Sequence, residues 1–149
     1  MNAERTSAEI DGPRGAASHR SKPLAGFLAL VTGVFGAHRL YLGSRYWWVY
    51  PLVAMPSIAF AFSAREWFRE PAFFVFVLVA LVGALEAILF CLTPDERWDQ
   101  RHNIGSGRRS NSGVGTVMIA IAALMLGAVA LLSVMAIALE GVFTAVGGR

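Results

Sequence analysis

Residues 72–92 read AFFVFVLVALVGALEAILFCL, a run of 21 residues that carries one charged side chain, Glu86. An α-helix rises about 1.5 Å per residue, so roughly 20 residues cross the ~30 Å hydrocarbon core of a bilayer. A membrane β-strand would alternate lipid-facing and lumen-facing residues over about ten positions, which this continuous run does not do. The stretch therefore predicts a transmembrane α-helix and an all-α fold.

Three further apolar segments accompany this run: residues 24–42, residues 46–62 with Pro51 and Pro56, and residues 114–139. The first reaches crossing length only if it includes Arg39, whose long side chain can extend to the lipid headgroups. The two prolines remove backbone donors from the second, which predicts a kinked or irregular helix. We predict a polytopic integral membrane protein, a small bundle of about four transmembrane helices. The first two segments either cross fully or form a re-entrant hairpin.

Polar segments divide the chain into four parts. Residues 1–22 form a polar tail without helical or strand periodicity, which predicts disorder. Residues 23–92 form the main membrane domain, interrupted at residues 63–71 by a short amphipathic turn. Residues 93–113 form a polar loop with a flexible Gly/Ser/Asn-rich end, and residues 114–146 form the C-terminal transmembrane helix.

The composition excludes several classes of protein. Hydrophobic residues make up 56% of the chain and charged residues 15%, whereas a soluble domain has about 25% charged residues. The basic residues are spread over several polar segments, so we expect no nucleic-acid partner. The chain lacks a P-loop, a GxSxG motif and zinc-ligand spacing, and its single cysteine, Cys91, lies in an apolar run. We expect no catalytic residues, no cofactor and no metal.

The orientation in the membrane is poorly determined by charge. With four spans, seven basic residues would lie on one side and six on the other. Four of the seven precede the first span, and early segments usually dominate insertion. The prediction is therefore a multi-pass protein with both termini in the cytoplasm, which places residues 93–113 outside.

Glu86 is the most informative single residue. It lies about 10 Å inside its span, where an unpaired charge costs at least a few kcal/mol. The carboxylate must therefore be protonated, paired or turned towards a wet cavity. Arg39 or His38 is its predicted partner, because these ionisable groups lie at the end of a neighbouring span. A pair that fixes helix register and a group that handles ions or protons remain the two interpretations.

Small residues follow one face of the last span at intervals of three or four positions. They are Thr116, Ala120, Ala123, Gly127 and Ala130. Such a stripe permits close helix packing, either within the chain or between chains.

The first span ends in the linker Gly36-Ala37-His38-Arg39-Leu40-Tyr41-Leu42-Gly43. Glycines at positions 36 and 43 allow sharp turns, and His38 and Arg39 place hydrogen-bond donors beside Tyr41. Anchoring of the helix end among headgroups is one interpretation of these polar groups, and recognition of a phosphate or carboxylate is the other.

This linker resembles the two-transmembrane (TM-two) domain family, whose bacterial members are often called NINE proteins. Glu86 stands as the candidate for the acidic position of that family's second helix. The distance from Gly43 to Glu86 is longer than in the compact family hairpin, which we interpret as an insertion that adds a membrane segment.

The resemblance implies a small protein of the bacterial inner (cytoplasmic) membrane. We expect a structural or interaction component without catalytic activity, whose partners are the lipid bilayer and a second copy or another membrane protein. The alternative is a small oligomeric transporter or channel with Glu86 in a polar path.

Overall fold

A computed structural model describes residues 19–147, and all regular structure in that range is helical. Two 3-10 turns, Gly33–Phe35 and Trp67–Arg69, accompany the α-helices. The α-helices are α1 (Lys22–Thr32), α2 (Ala37–Tyr41), α3 (Val49–Phe62), α4 (Pro71–Leu92), α5 (Asp95–His102) and α6 (Val114–Gly147). The all-α prediction is confirmed for this part of the chain.

Two of the described helices, α4 and α6, are long and apolar enough to cross a membrane. α4 has 22 residues and begins at a proline, whose missing N–H is harmless in a first turn. α6 has 34 residues, a length of about 51 Å. The predicted runs of residues 72–92 and 114–139 thus lie inside single continuous helices.

α4 and α6 are antiparallel and pack closely. At one end Arg69, just before α4, donates a hydrogen bond of 2.7 Å to the carboxylate of Glu140 in α6. Further along, a Cβ on Gly127 would lie 3.6 Å from the Cβ of Ala84. The small core beside this contact consists of Ala29, Ala87 and Ala123, all fully buried.

α1 and α3 each cover only part of α4. Gly26 of α1 faces Cys91 near the end of α4, and Gly33, in the 3-10 turn that follows α1, lies directly against Gly83. α3 continues from there, since Val53 shares an apolar groove with residues 78–82 of α4. The two short helices therefore line up along α4 and are separated by a break near its Gly83.

The break corrects the expectation of one continuous first helix over residues 24–42. Gly36 adopts a left-handed conformation with φ +67° and ends the first helical stretch. The chain then doubles back, because the Ser21 N–H donates to the Tyr41 hydroxyl at 2.7 Å and the Arg20 guanidinium donates to the Leu42 carbonyl. α1 and α2 form a hairpin within the first apolar segment.

The second apolar segment forms one continuous helix, α3, which contains both prolines. Pro51 lies in the first turn of α3, where its missing N–H is harmless, and Pro56 lies inside the helix. The Ser57 hydroxyl donates to the Val53 carbonyl at 2.7 Å, one turn earlier. At 14 residues, α3 is only about 21 Å long.

The polar segments differ from prediction at their boundaries. Most of the tail expected to be disordered, residues 1–18, lies outside the described residues. Lys22, the last residue of that tail, instead opens α1 and is 3% exposed. The loop of residues 93–113 contains the eight-residue helix α5, and its serines at 110 and 112 are hydrogen-bonded to that helix.

These contacts define two ends of the bundle. At the loop end, Lys22 reaches Asp95 and Ser112, which begin α5 and precede α6. At the turn end, Arg69 meets Glu140. The first described helix therefore starts at one end of the bundle and the last described helix finishes at the other.

Candidate functional site

Four side chains converge on the break between α1 and α3. Glu86 of α4 accepts hydrogen bonds from His38 Nε2 and Arg39 of α2 and, at 2.9 Å, from the Tyr50 hydroxyl of α3. The Arg39 guanidinium also lies 5.6 Å from the centre of the Tyr50 ring. We call these four residues the Glu86 cluster.

Backbone turns place these side chains. The left-handed Gly36 reverses the chain, so that the first turns of α2 present His38 and Arg39 towards α4. Gly43, with φ +74°, ends the hairpin. The Arg20 guanidinium lies so close to it that a Cβ at this position would be 2.8 Å from a guanidinium nitrogen. An L side chain is strained at such φ values, which explains why glycine stands at both positions.

The Glu86 cluster is largely shielded. The side chain of Glu86 is 11% exposed and that of Arg39 is 39% exposed, while His38 is completely buried. Glu86 lies six residues before Leu92, about 9 Å from the end of α4. An isolated carboxylate so shielded from water would be costly, and the ion pair and hydrogen bonds of Glu86 offset that cost.

The contacts of His38 bear on its tautomer. Its Nδ1 atom is buried without a hydrogen-bond partner among the described residues. The tautomer with the proton on Nε2 suits this environment, because Nε2 then donates to Glu86 and no N–H is left unpaired. The cluster therefore joins one carboxylate to three side-chain donors, from Arg39, His38 and Tyr50.

Chemically, this arrangement neutralises charge and ties three helices together. Each carboxylate oxygen of Glu86 already accepts at least one hydrogen bond, Oε1 from Arg39 and Oε2 from His38 and Tyr50. Residues 19–147 contain no group of three histidine, cysteine or acidic side chains placed to hold a metal ion. The geometry favours a structural clasp.

The pairing hypothesis named Arg39 or His38 as the partner of Glu86, and the structure brings both to it. Tyr50 was missed by sequence reasoning. The sequence does show a tyrosine hydroxyl inside the second apolar segment, four residues after Tyr46. An aromatic residue at the start of such a segment is easily interpreted as a membrane-interface anchor instead. Tyr41 lies outside the cluster and instead contacts the start of α1.

The small-residue stripe of α6 faces the rest of the chain. Ala123 and Thr116 are buried, and Gly127 contacts α4. Ala120 and Ala130 are partly buried on the same side. The stripe is thus used for packing within the chain in the described structure.

A second polar cluster closes the loop end. The Lys22 ammonium binds the Asp95 carboxylate at 2.8 Å and the Ser112 hydroxyl at 2.5 Å. Partial burial raises the pKa of Asp95, but the hydrogen bonds from Lys22 and Ser112 outweigh it, so the pKa lies below its ordinary value. This contact joins the start of α1 to both ends of the loop.

Asp99 fixes the end of the loop in the same way. Its carboxylate accepts hydrogen bonds from the Ser110 hydroxyl at 2.6 Å, from Asn103 at 2.7 Å and from the Ser110 N–H at 2.7 Å. These bonds, that of the Ser110 hydroxyl first, lower the pKa of Asp99 to about 2. The Trp98 indole N–H donates to the Arg20 carbonyl at 2.9 Å, which anchors α5 to the start of α1.

Comparison with known proteins gave no family or relative, so a functional conclusion must rest on the residues described above. A scan against protein-family models found no match, and searches of curated proteins and of solved structures found no similar chain.

Proposed function

We propose that the chain is a non-catalytic integral membrane protein of the TM-two type, a structural or interaction component of the bacterial inner membrane. The observation that carries this proposal is the surface of α6. Its apolar window has a mean hydropathy of 2.7, yet only 6% of that window is buried inside the chain. A soluble protein rarely exposes so large a continuous apolar surface, whereas lipid covers it at no cost.

Three crossings fit the packing better than four. α4 and α6 each cross the bilayer, and α1 and α3 share the third crossing as two half-helices aligned along α4. The linker of residues 36–43 lies at their junction. The Glu86 cluster compensates the polar groups exposed by the break, which supports a structural role for it.

The number of crossings changes the orientation that we propose. In the described range, seven basic residues belong to segments at the loop end and two to the turn at residues 63–70. The seven are Arg20, Lys22, Arg45, Arg97, Arg101, Arg108 and Arg109, and the two are Arg65 and Arg69. By the positive-inside rule the loop end faces the cytoplasm, so α6 finishes on the opposite side.

Cysteine labelling tests both location and orientation. In a Cys91→Ala background, Arg109→Cys marks the loop end and Glu66→Cys the turn end. In sealed right-side-out membrane vesicles, a membrane-impermeant maleimide should label Glu66→Cys at once and Arg109→Cys only after the vesicles are opened. Labelling of Arg109→Cys in sealed vesicles would contradict the orientation, and release of the protein by alkaline carbonate would contradict the membrane location.

A transporter or channel is the second candidate, because interrupted helices often hold the ion sites of transporters. Against it stands the closed pairing of Glu86 with His38, Arg39 and Tyr50. Proteoliposomes that contain the wild-type protein should show no more ion flux than empty vesicles. A flux that Glu86→Gln abolishes would favour the channel instead.

A further inference from the structure

A pocket of about 340 Å³ lies at the elbow where α4 ends and α5 begins. Its apolar wall comes from the last turn of α4 and includes Leu89 and Leu92. Leu92 is 71% exposed. Its polar wall comes from Arg97, Arg101 and His102 of α5. We call this cavity the elbow pocket. One side of the elbow pocket is apolar and the other is basic, which is the lining expected of a site for an amphiphilic anion.

The two arginines belong to the outer face of a two-faced helix. Arg97 and Arg101 are four residues apart and therefore adjacent on α5. The carboxylates of Asp95 and Asp99 are held on another face by Lys22 and the loop serines. Among residues 19–147, neither arginine forms an ion pair with an acidic side chain.

The electrostatic setting of the elbow pocket is positive. Burial lowers the pKa of His102, and the nearby charges of Arg20 and Arg101 lower it further. Two guanidinium groups at this spacing present forked N–H donors that match the oxygens of a phosphate. Without an anion, the two like charges repel each other.

We propose that the elbow pocket binds the phosphate headgroup of an anionic phospholipid, with Arg97 and Arg101 on the phosphate and Leu89 and Leu92 along an acyl chain. A volume of about 340 Å³ is at the small end for ligand pockets, so it holds the phosphate and glycerol portion while the chains remain in the bilayer. This inference rests on the proposed membrane location, in which the end of α4 lies at headgroup level in the cytoplasmic leaflet.

Native mass spectrometry of the full-length protein tests the proposal. Protein in detergent is titrated with phosphatidylglycerol or phosphatidylcholine, and the bound lipids are counted. Wild type should bind one phosphatidylglycerol about 10- to 30-fold more tightly than phosphatidylcholine, since each arginine near an anionic group contributes about one factor of five. Arg97→Gln combined with Arg101→Gln should abolish that preference.

Two controls separate the possible outcomes. Arg108→Gln combined with Arg109→Gln removes the same charge from exposed positions of the same loop outside the pocket lining, and it should keep the preference. An equal loss in both double variants would overturn the proposal, as would retention of the preference in the pocket variant. Displacement of the lipid by millimolar inorganic phosphate would identify a free-phosphate site instead.

The failure of this inference is distinguishable from the failure of the proposed function. Protein that resists extraction by alkaline carbonate but shows no lipid preference refutes only the lipid site. Protein that carbonate releases refutes the membrane location, on which both depend. Thermal unfolding of both double variants checks that these exposed substitutions leave the fold intact.

Discussion

Substitution of Gly83 by alanine tests the packing that holds the α1 region against α4. A Cβ at this position would lie 2.9 Å from the Cα of Gly33 and 3.1 Å from the carbonyl oxygen of Ala29. Both neighbours are backbone atoms of the α1 region, so neither can move away by rotating a side chain. Ordinary contact begins near 3.4 Å, so α1 must shift by about 0.5 Å or more relative to α4.

The expected magnitude follows from two opposing effects. Overpacking of this kind costs about 1–3 kcal/mol, whereas replacing a helical glycine by alanine gains up to about 1 kcal/mol. Gly127→Ala is the matched control, because its Cβ would meet Ala84 at 3.6 Å, an ordinary contact. Both variants gain helix propensity, so the difference between them, about 1–3 kcal/mol, isolates the clash.

The measurement is unfolding of the full-length protein in mixed micelles with a rising fraction of denaturing detergent. Tryptophan fluorescence follows the unfolding, because Trp98, one of the four tryptophans, is 1% exposed in the folded protein and becomes exposed on unfolding. Gly83→Ala should unfold at a lower detergent fraction than wild type, and Gly127→Ala at an equal or higher one. Equal midpoints for the two variants would refute the close approach of Gly33 and Gly83.

Two further predictions concern the polar clusters. Arg39→Ala and Glu86→Ala should be non-additive by about 0.5–3 kcal/mol in a double-mutant cycle read by thermal unfolding in detergent, because the two groups touch; additive losses would show that they never meet. Since the pKa of Asp99 falls from 3.8 to about 2 on folding, its bonds to Ser110 contribute stability in full above pH 3.8 that is lost as pH falls through 2. Hydrogen-exchange protection of the Ser110 amide should follow this course, and Asp99→Asn should remove the dependence; an unchanged pH profile in that variant would contradict the assignment.

Sequence length and polarity were sufficient to predict α4 and α6, because apolar runs of that length have few other uses. The break at Gly36 was not predictable in the same way. Glycine occurs within many membrane helices, and its left-handed conformation here depends on the return of α2 towards Ser21. The break can therefore be identified only once the tertiary packing of α1 and α2 is known.

The helix α5 was missed for a different reason. Residues 93–113 were interpreted by polarity alone, although Pro94 precedes two acidic residues and His102 closes a basic last turn, both ordinary signals of helix ends. The partners of Glu86 were predictable, since a charge within an apolar run requires compensation and few ionisable groups were available. Tyr50 was not, because a hydroxyl donor and an interfacial anchor look alike in sequence.

Under the proposed membrane location, the division of the first crossing into the half-helices α1 and α3 has a consequence for biosynthesis. When residues 19–62 have left the ribosome, neither α1 nor α3 is long enough to cross the bilayer, and the charge of Arg39 still lacks its partner. Glu86 is synthesised 47 residues after Arg39, as part of α4, the helix along which α1 and α3 align. We therefore expect α1 and α3 to insert stably into the membrane only after α4 has been synthesised, so that the three helices insert together.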